Sequence, residues 1–355
     1  ESRWLTMGEL TNRFEQKFCE FLNCKHAIAV NNGTAALHLA NIAAGVCTGD
    51  EVIAPAMTFV ASVNSILYAG ATTVFADITS EDDFNISPED IENKITEKTK
   101  AVMVVHYAGY PCDMEQILQI AEKHNLTIIE DVAHAPGAAI GEKKCGTFGT
   151  CGCFSFFSNK NMATGEGGMV VTNDDDIAEK LRLIRSHGMT TLTLDRFKGH
   201  AFSYDVVDLG FNYRTSEIAS AIGMVQLDKL KAKNEKRAQI VNLYNSLLKD
   251  VDEVNVPFLS HFGTASYHIY PVLLDKKVNR QDLMTYLKES GIQTSIHYPP
   301  VHLFSFHRTL HKESVKLEKT EDIASRELTL PLYPAMTELH VKTVVNSIKS
   351  FLLKK

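Results

Sequence analysis

Ala27-Ile-Ala-Val-Asn-Asn-Gly-Thr-Ala-Ala-Leu-His-Leu-Ala40 is the stretch whose reading decides the fold. Ala27 to Val30 is an apolar run with no polar alternation, as in a strand buried on both faces. Asn31-Asn-Gly33 breaks it, and Gly33 lets the backbone turn tightly before a helix from Thr34 to Ala44. Strand, tight turn and helix in succession are half of a parallel α/β unit. The free N–H groups of that first helical turn, with the helix dipole, favour a phosphate by roughly 0.3–1 kcal/mol per charge. Thr34 adds a hydroxyl, although a threonine there also serves as an ordinary helix cap.

The same alternation continues outward. Helical periodicity covers residues 8–22, Ala61 to Tyr68, Ser87 to Lys94 and Asp113 to His124. Strand-like runs cover His26 to Val30, Glu51 to Ala54, Thr73 to Ala76, Ala101 to Val105 and Leu126 to Ile129. Apolar strands separated by helices predict a parallel, right-handed α/β sheet. After Ser216 the pattern changes to a long charged helix, Glu217 to Lys249. It is followed by the segment Ser266 to Leu274, a helix from Asn279 to Ser290, the Pro-rich loop His297-Tyr-Pro-Pro300 and a closing helix, Glu338 to Leu353. A chain of 355 residues exceeds one ordinary core. The division expected is a large α/β domain over 1–239 and a smaller α+β domain over 240–355.

Bulk composition excludes several classes. The chain is 45% hydrophobic and 22% charged, with a net charge of −7. The sign opposes nucleic-acid binding, and the most basic segment, Lys229 to Arg237, is interleaved with acidic and apolar residues as on a solvated helix face. No apolar run nears the ~20 residues that cross a bilayer. Seven irregularly spaced cysteines fit a reducing compartment, hence the cytoplasm. In that setting the Asn-x-Ser/Thr matches at Asn32, Asn85 and Asn125 are coincidental. The opening Glu1-Ser-Arg-Trp-Leu, without an initiator Met, reads as a trimmed start.

Three segments carry chemistry beyond the helix start. In Phe154-Ser155-Phe-Phe-Ser-Asn-Lys160, an aromatic strand delivers one lysine into a polar turn, and Thr164-Gly-Glu-Gly-Gly168 returns to a second strand, Met169 to Thr172. A lysine held there can be desolvated, which lowers its pKa and makes it a nucleophile. Asp131 ends Thr127-Ile-Ile-Glu-Asp131 at the carboxyl edge of the sheet, where open α/β folds place ligands. A carboxylate buried there unpaired would cost roughly 3–5 kcal/mol, so it needs a cationic partner such as a protonated pyridine nitrogen. Ser155, five residues before Lys160, can reach the same phosphate as Thr34, and Phe59 is a candidate to stack on a ring. Phosphate cradle, buried Asp and loop lysine together describe a pyridoxal phosphate site.

These blocks resemble the DegT family of sugar aminotransferases, fold-type-I pyridoxal phosphate enzymes. So do Glu130-Asp-Val-Ala-His134, Gly210-Phe-Asn-Tyr-Arg214 and His297-Tyr-Pro-Pro300. The resemblance implies an aspartate aminotransferase-like fold and a cytoplasmic homodimer with shared active sites, acting in deoxyamino-sugar biosynthesis. By that resemblance Lys160 holds pyridoxal 5'-phosphate as a Schiff base, and Asp131 pairs with the ring nitrogen. His134 lies near the ring's 3-oxygen, while Gly33, Thr34, Ala35 and Ser155 hold the phosphate. Phe59 stacks on the ring, and Asn212 reaches the partner subunit's cofactor. Tyr213, Arg214, His297 and Tyr298 are substrate candidates. The implied reaction moves an amino group from L-glutamate, through pyridoxamine phosphate, to a nucleotide-linked keto-deoxysugar.

Alternatives within the cofactor class are a cyclitol aminotransferase and a sugar dehydratase. The dehydrating branch replaces the lysine with His, and this chain keeps Lys160. A non-enzymatic regulator finds no helix-turn-helix or basic patch. A dinucleotide enzyme finds no G-x-G-x-x-G after a strand, since Gly146, Gly149 and Gly152 fall three apart. No metal is expected: Cys151-Gly-Cys153 is too short a pair, and His297, His302, His307 and His311 lack the metalloprotease glutamate. Substrate choice is expected to lie in the loops Thr190 to Tyr204 and Pro299 to His311.

Overall fold

Seven strands order the N-terminal two-thirds of the chain in a computed structural model that describes residues 4–191, 203–310 and 314–353. Most of the expected substrate loop at 190–204, and His311, lie outside the described residues. In chain order the strands of the whole fold are β1 (His26–Val30), β2 (Glu51–Pro55), β3 (Thr72–Ala76), β4 (Ile78–Ser80), β5 (Asp83–Ile86), β6 (Thr99–Val105) and β7 (Thr127–Asp131). They continue as β8 (Ala139–Ile140), β9 (Lys143–Lys144), β10 (Cys151–Ser155), β11 (Gly168–Thr172), β12 (Val254–Asn255), β13 (Tyr270–Leu274) and β14 (Glu327–Leu330).

The central sheet runs β1-β11-β10-β7-β6-β2-β3. Pairings from β10 through β7, β6 and β2 to β3 are parallel, and β11 is antiparallel to both its neighbours. The exception has a simple cause. β10 and β11 are joined by the loop 156–167 with no crossover helix, and a chain that turns straight back pairs antiparallel. Both faces are covered. Helices Gly33–Ala43 and Asp175–Ile184 bury Leu39 and Leu181 on one side, and helices Glu9–Leu22 and Met114–His124 bury Phe18 and Ile117 on the other.

Alternation along β7 separates two neighbouring acids. Asp131 ends the strand at the sheet's carboxyl edge, while Glu130 is fully buried on the opposite face. The Glu130 carboxylate accepts from the N–H groups of Gly146, Phe148 and Gly149, each at 2.7 Å. His106 Nε2 lies 3.0 Å away. Because His106 Nδ1 accepts from Cys112 N–H at 3.0 Å, its proton sits on Nε2 and is donated to Glu130. The carboxylate therefore ties the 146–149 turn under the sheet.

Helix Glu217–Leu248 belongs to two cores. Leu227 and Leu230 pack with Phe14, Phe18, Phe154 and Phe156. Ile240, Val241, Tyr244 and Leu248 pack with Val272, Leu328 and Val345 over the antiparallel sheet β12-β13-β14. The expected division at 239/240 falls inside this helix. At its start Glu217 caps another helix: its carboxylate accepts from Gly8, Leu10 and Thr11 N–H at 2.8–2.9 Å. Gly223 admits Phe14, whose ring would lie 2.6 Å from an added Cβ.

Several elements were not anticipated: the hairpins β4–β5 and β8–β9, helix Asp175–Ile184, helix Glu318–Arg326 and β14. Within the segment that opens at Ser266, the strand begins only at Tyr270. Ser266 and His268 spend their N–H groups on Gly109 and Ala108 carbonyls, at 2.9 and 2.8 Å, and are drawn toward the central sheet instead of into a ladder.

Candidate active site

A cavity of about 650 Å³ opens at the carboxyl edge of the parallel strands. It gathers the ends of β6, β7 and β10, the start of helix Gly33–Ala43, the 58–61 turn, the lysine loop and the 297–298 segment. Of the residues expected, Gly33, Thr34, Ala35, Phe59, Asp131, His134, Ser155, Lys160, Tyr213, His297 and Tyr298 all line it.

Lys160 sits in a loop closed on itself. Phe156 N–H donates to Gly167 O and Thr164 N–H to Phe156 O, both at 2.8 Å, and Gly165 takes the left-handed turn at φ +88°. The lysine is half-buried. Burial pushes its amine down to about 8, against an upward pull from Asp131. Its Nζ lies 3.5 Å from His268 Nε2, a partner the sequence reading did not name. Asn161 fixes that imidazole. Its amide nitrogen donates to Ser266 O at 2.7 Å and to Asn234 Oδ1 at 2.9 Å, so its Oδ1 is the acceptor for His268 Nδ1 at 3.0 Å. The proton therefore sits on Nδ1, and the Nε2 lone pair faces the lysine. Burial, then the Lys160 charge, hold His268 well below the usual histidine range, so the ring is neutral.

Asp131 is buried and accepts from Ser62 Oγ at 2.7 Å and from Ala133 N–H at 3.0 Å. Since Ser62 donates to the acid, Thr58 donates to Ser62, at 2.9 Å. His134 has its Nε2 2.8 Å from the Tyr298 hydroxyl, which burial keeps protonated as the donor. Burial, then Lys160, keep His134 neutral, so its proton lies on Nδ1. That Nδ1 is buried with no partner among the described residues. Beneath them, Glu327 accepts from His297 N–H at 2.9 Å and from Thr329 Oγ1 at 2.5 Å, and burial raises its carboxyl to about 8. Burial, then Lys160, drive His297 down to about 4.

The helix start forms the far corner. Asn32 caps it by accepting from Ala35 N–H at 2.8 Å, so that Ala35 donor is engaged, and Gly33 and Thr34 carry the unpaired N–H groups of the first turn. Gly33 packs so closely on Ser155 that an added Cβ would lie 2.8 Å from the serine Cβ. Phe59 is 58% exposed and therefore not a core residue, and its ring stands 6.2 Å from that of Tyr298 at the cavity mouth.

Two expected residues stand apart. Asn212 is exposed and bridges to Ser186, and Arg214 bridges to Val30; neither lines the cavity. Tyr213 lines it, but its hydroxyl is 3.2 Å from His38 Nδ1. The C-terminal histidines do not converge: His302 faces Glu321 at 3.2 Å, and His297 faces Thr329 at 2.9 Å.

Comparison with known proteins adds an independent line. The profile of the DegT/DnrJ/EryC1/StrS aminotransferase family matches residues 1–349. GDP-perosamine synthase of Vibrio cholerae is 38% identical over 99% of this chain and 93% of its own. Among solved structures, Helicobacter pylori PseC, an aminotransferase involved in the biosynthesis of pseudoaminic acid, superposes with a TM-score of 0.91 at 32% identity, over 98% of this chain and 92% of that one. The PLP-form of Spr1654 from Streptococcus pneumoniae superposes with a TM-score of 0.91 at 27% identity, over 99% and 93%. A lysine-bearing cavity at the edge of a mainly parallel sheet, and a profile match along nearly the whole length, together establish that the chain is an aminotransferase of the DegT/DnrJ/EryC1/StrS family.

Proposed function

We propose that this aminotransferase uses pyridoxal 5'-phosphate, held by Lys160 as a Schiff base, to move an amino group from L-glutamate to the ketone of a nucleotide-linked deoxysugar. The observation that carries the reading is the convergence of Lys160, Asp131 and a helix N-terminus on one cavity. The residues fit the cofactor: the orphaned His134 Nδ1–H needs an acceptor, and the Gly33–Ser155 contact leaves a cradle without side-chain bulk at the helix start. The relative named GDP-perosamine synthase favours a nucleotide-linked sugar.

When bound, pyridoxal phosphate supplies an aldehyde that captures amines and a ring that withdraws electrons. The chain does the rest. Gly33 and Thr34 N–H groups, with the Ser155 hydroxyl, would hold the phosphate. Asp131, steadied by Ser62 and Ala133, would pair with the ring nitrogen, and His134 would offer its Nδ1–H to the ring oxygen. Phe59 covers one face. Lys160 then carries the proton between the substrate α-carbon and the cofactor. With its amine at about 8, ~10% is free base at pH 7, against less than ~0.1% for an ordinary lysine.

The active enzyme is a homodimer in this reading. Asn212 faces away from its own cavity and completes the partner's. Ile218, Ile222 and Val225 are 59%, 41% and 51% exposed on one face of the long helix, whose start is bonded to exposed Leu5, and a second copy would cover them. The seven free thiols suit the cytoplasm; no described helix is long and apolar enough to cross a membrane.

The test is chemical. Borohydride treatment of cofactor-supplied protein should leave a reduced cofactor on the Lys160 peptide by mass spectrometry, and an unmodified Lys160 refutes the reading. A panel of keto-sugar nucleotides with L-glutamate then identifies the acceptor.

A further inference from the structure

A second cavity, of about 590 Å³, lies beside the first, and Asn159 and His297 line both. Among the described residues no Asp, Glu or Lys lines it, and its single fixed cation is Arg237 on helix Glu217–Leu248. Arg237 is only 6% exposed. Its Nη1 alone makes bonds, long ones, to the carbonyls of Tyr267 (3.4 Å), His268 (3.3 Å) and Leu332 (3.1 Å). Among the described residues no carboxylate oxygen lies within 4.0 Å of it. Among the described residues Nε is sealed from solvent without an acceptor, and Nη2, which is not sealed, has no acceptor either. Burial alone draws the guanidinium down to about 10. A buried cation facing only neutral carbonyls is incompletely compensated. Nη2 is therefore the guanidinium nitrogen left to donate to a carboxylate oxygen in the cavity, a charge-assisted bond. Gln293, Thr294, Ser295 and Thr343 add neutral hydrogen-bonding groups around it.

We propose that this cavity is a carboxylate-binding site, anchored by Arg237, that seats the distal acid group of the dicarboxylic amino donor. The proposal rests on the aminotransferase reading above. Its geometry links the two cavities through one residue: His268 meets Lys160 with its ring and Arg237 with its carbonyl. Arg237 lines the second cavity and not the one that holds Lys160, so the acid group it takes is the one farther from the reacting carbon.

Calorimetric titration of the holoenzyme with glutarate, a five-carbon diacid with neither amine nor ketone, tests the site without turnover. Wild type should bind it, and Arg237→Met should weaken binding at least tenfold. In Arg237→Met the KM for L-glutamate should rise at least tenfold while the KM for the sugar acceptor stays unchanged. Thr343→Glu, on the exposed face of helix Glu338–Leu352, puts a competing carboxylate at the cavity with the arginine intact. It should likewise weaken glutarate binding at an unchanged unfolding midpoint. Undiminished glutarate binding in both variants overturns the site. Inorganic phosphate bound more tightly than glutarate also overturns it, in favour of a phosphorylated ligand. Glutarate binding that depends on Arg237 in an enzyme that takes no nitrogen from glutamate upholds the anion site and counts against the donor reading instead.

Discussion

Lys160 illustrates how one side chain acquires its chemistry from where it is set. Its amine, lowered to about 8 by burial, is protonated and unreactive below that pH and nucleophilic above it. Amine-directed acylation of Lys160 in cofactor-free protein should therefore be half-maximal near pH 8, and a midpoint above 10 would show that burial does not govern it. Asp131→Ala removes the proposed ring-nitrogen partner and should lower kcat at least ~100-fold with the fold retained, read by steady-state kinetics beside circular dichroism. Asn161→Leu frees the His268 ring to take the other tautomer. It should cost roughly tenfold in kcat with little change in KM, whereas a purely structural asparagine would move the unfolding midpoint and leave kcat alone. At this scale the sequence yields what is local. Lys160, Asp131 and Ser155 are readable from the strands and turns that hold them. His268 is tied to Asn161 across 107 residues, and Ser62 to Asp131 across 69, and no spacing rule spans such gaps.

Elements differ in legibility for the same reason. Helix Glu217–Leu248 carries its own periodicity and cap, Ser216 accepting from Ala219 N–H at 3.1 Å, and its extent is plain in the sequence. The reversal of β11 is not, because its residues are as apolar as those of the parallel strands around it, and only the missing crossover helix distinguishes it. β7 and the 146–149 turn make a sharper test. Glu130→Leu strands three N–H groups and a histidine donor in the interior and should cost about 3–5 kcal/mol. Urea unfolding would measure it, and a loss below ~1 kcal/mol would show that water replaces the carboxylate. Gly33→Ala should push the helix start off Ser155 and raise the cofactor dissociation constant at least ~10-fold, followed by absorbance titration.

For the whole molecule, Asn212 is exposed and lies outside its own chain's cavity, and the homodimer proposed above is what would give it a site to complete. Ile222→Asp places a charge in the exposed apolar stripe and should give monomers by sedimentation velocity, with activity lost while the Lys160 site still takes up cofactor. A variant that stays dimeric and active rules out that face as the interface. A single unbroken helix roots its first half in the Phe14–Phe154 packing and its second half over β12-β13-β14. Each added residue turns a helix by about 100° and lengthens it by about 1.5 Å. One extra residue between Leu230 and Ile240 would thus swing the entire C-terminal sheet out of phase, carrying Arg237 or His268 away from its mate. Seven, almost two full turns, would nearly restore the angle but open a gap of about 10 Å. The rod is a phase gauge, and its middle should tolerate replacement of side chains far better than any change in their number.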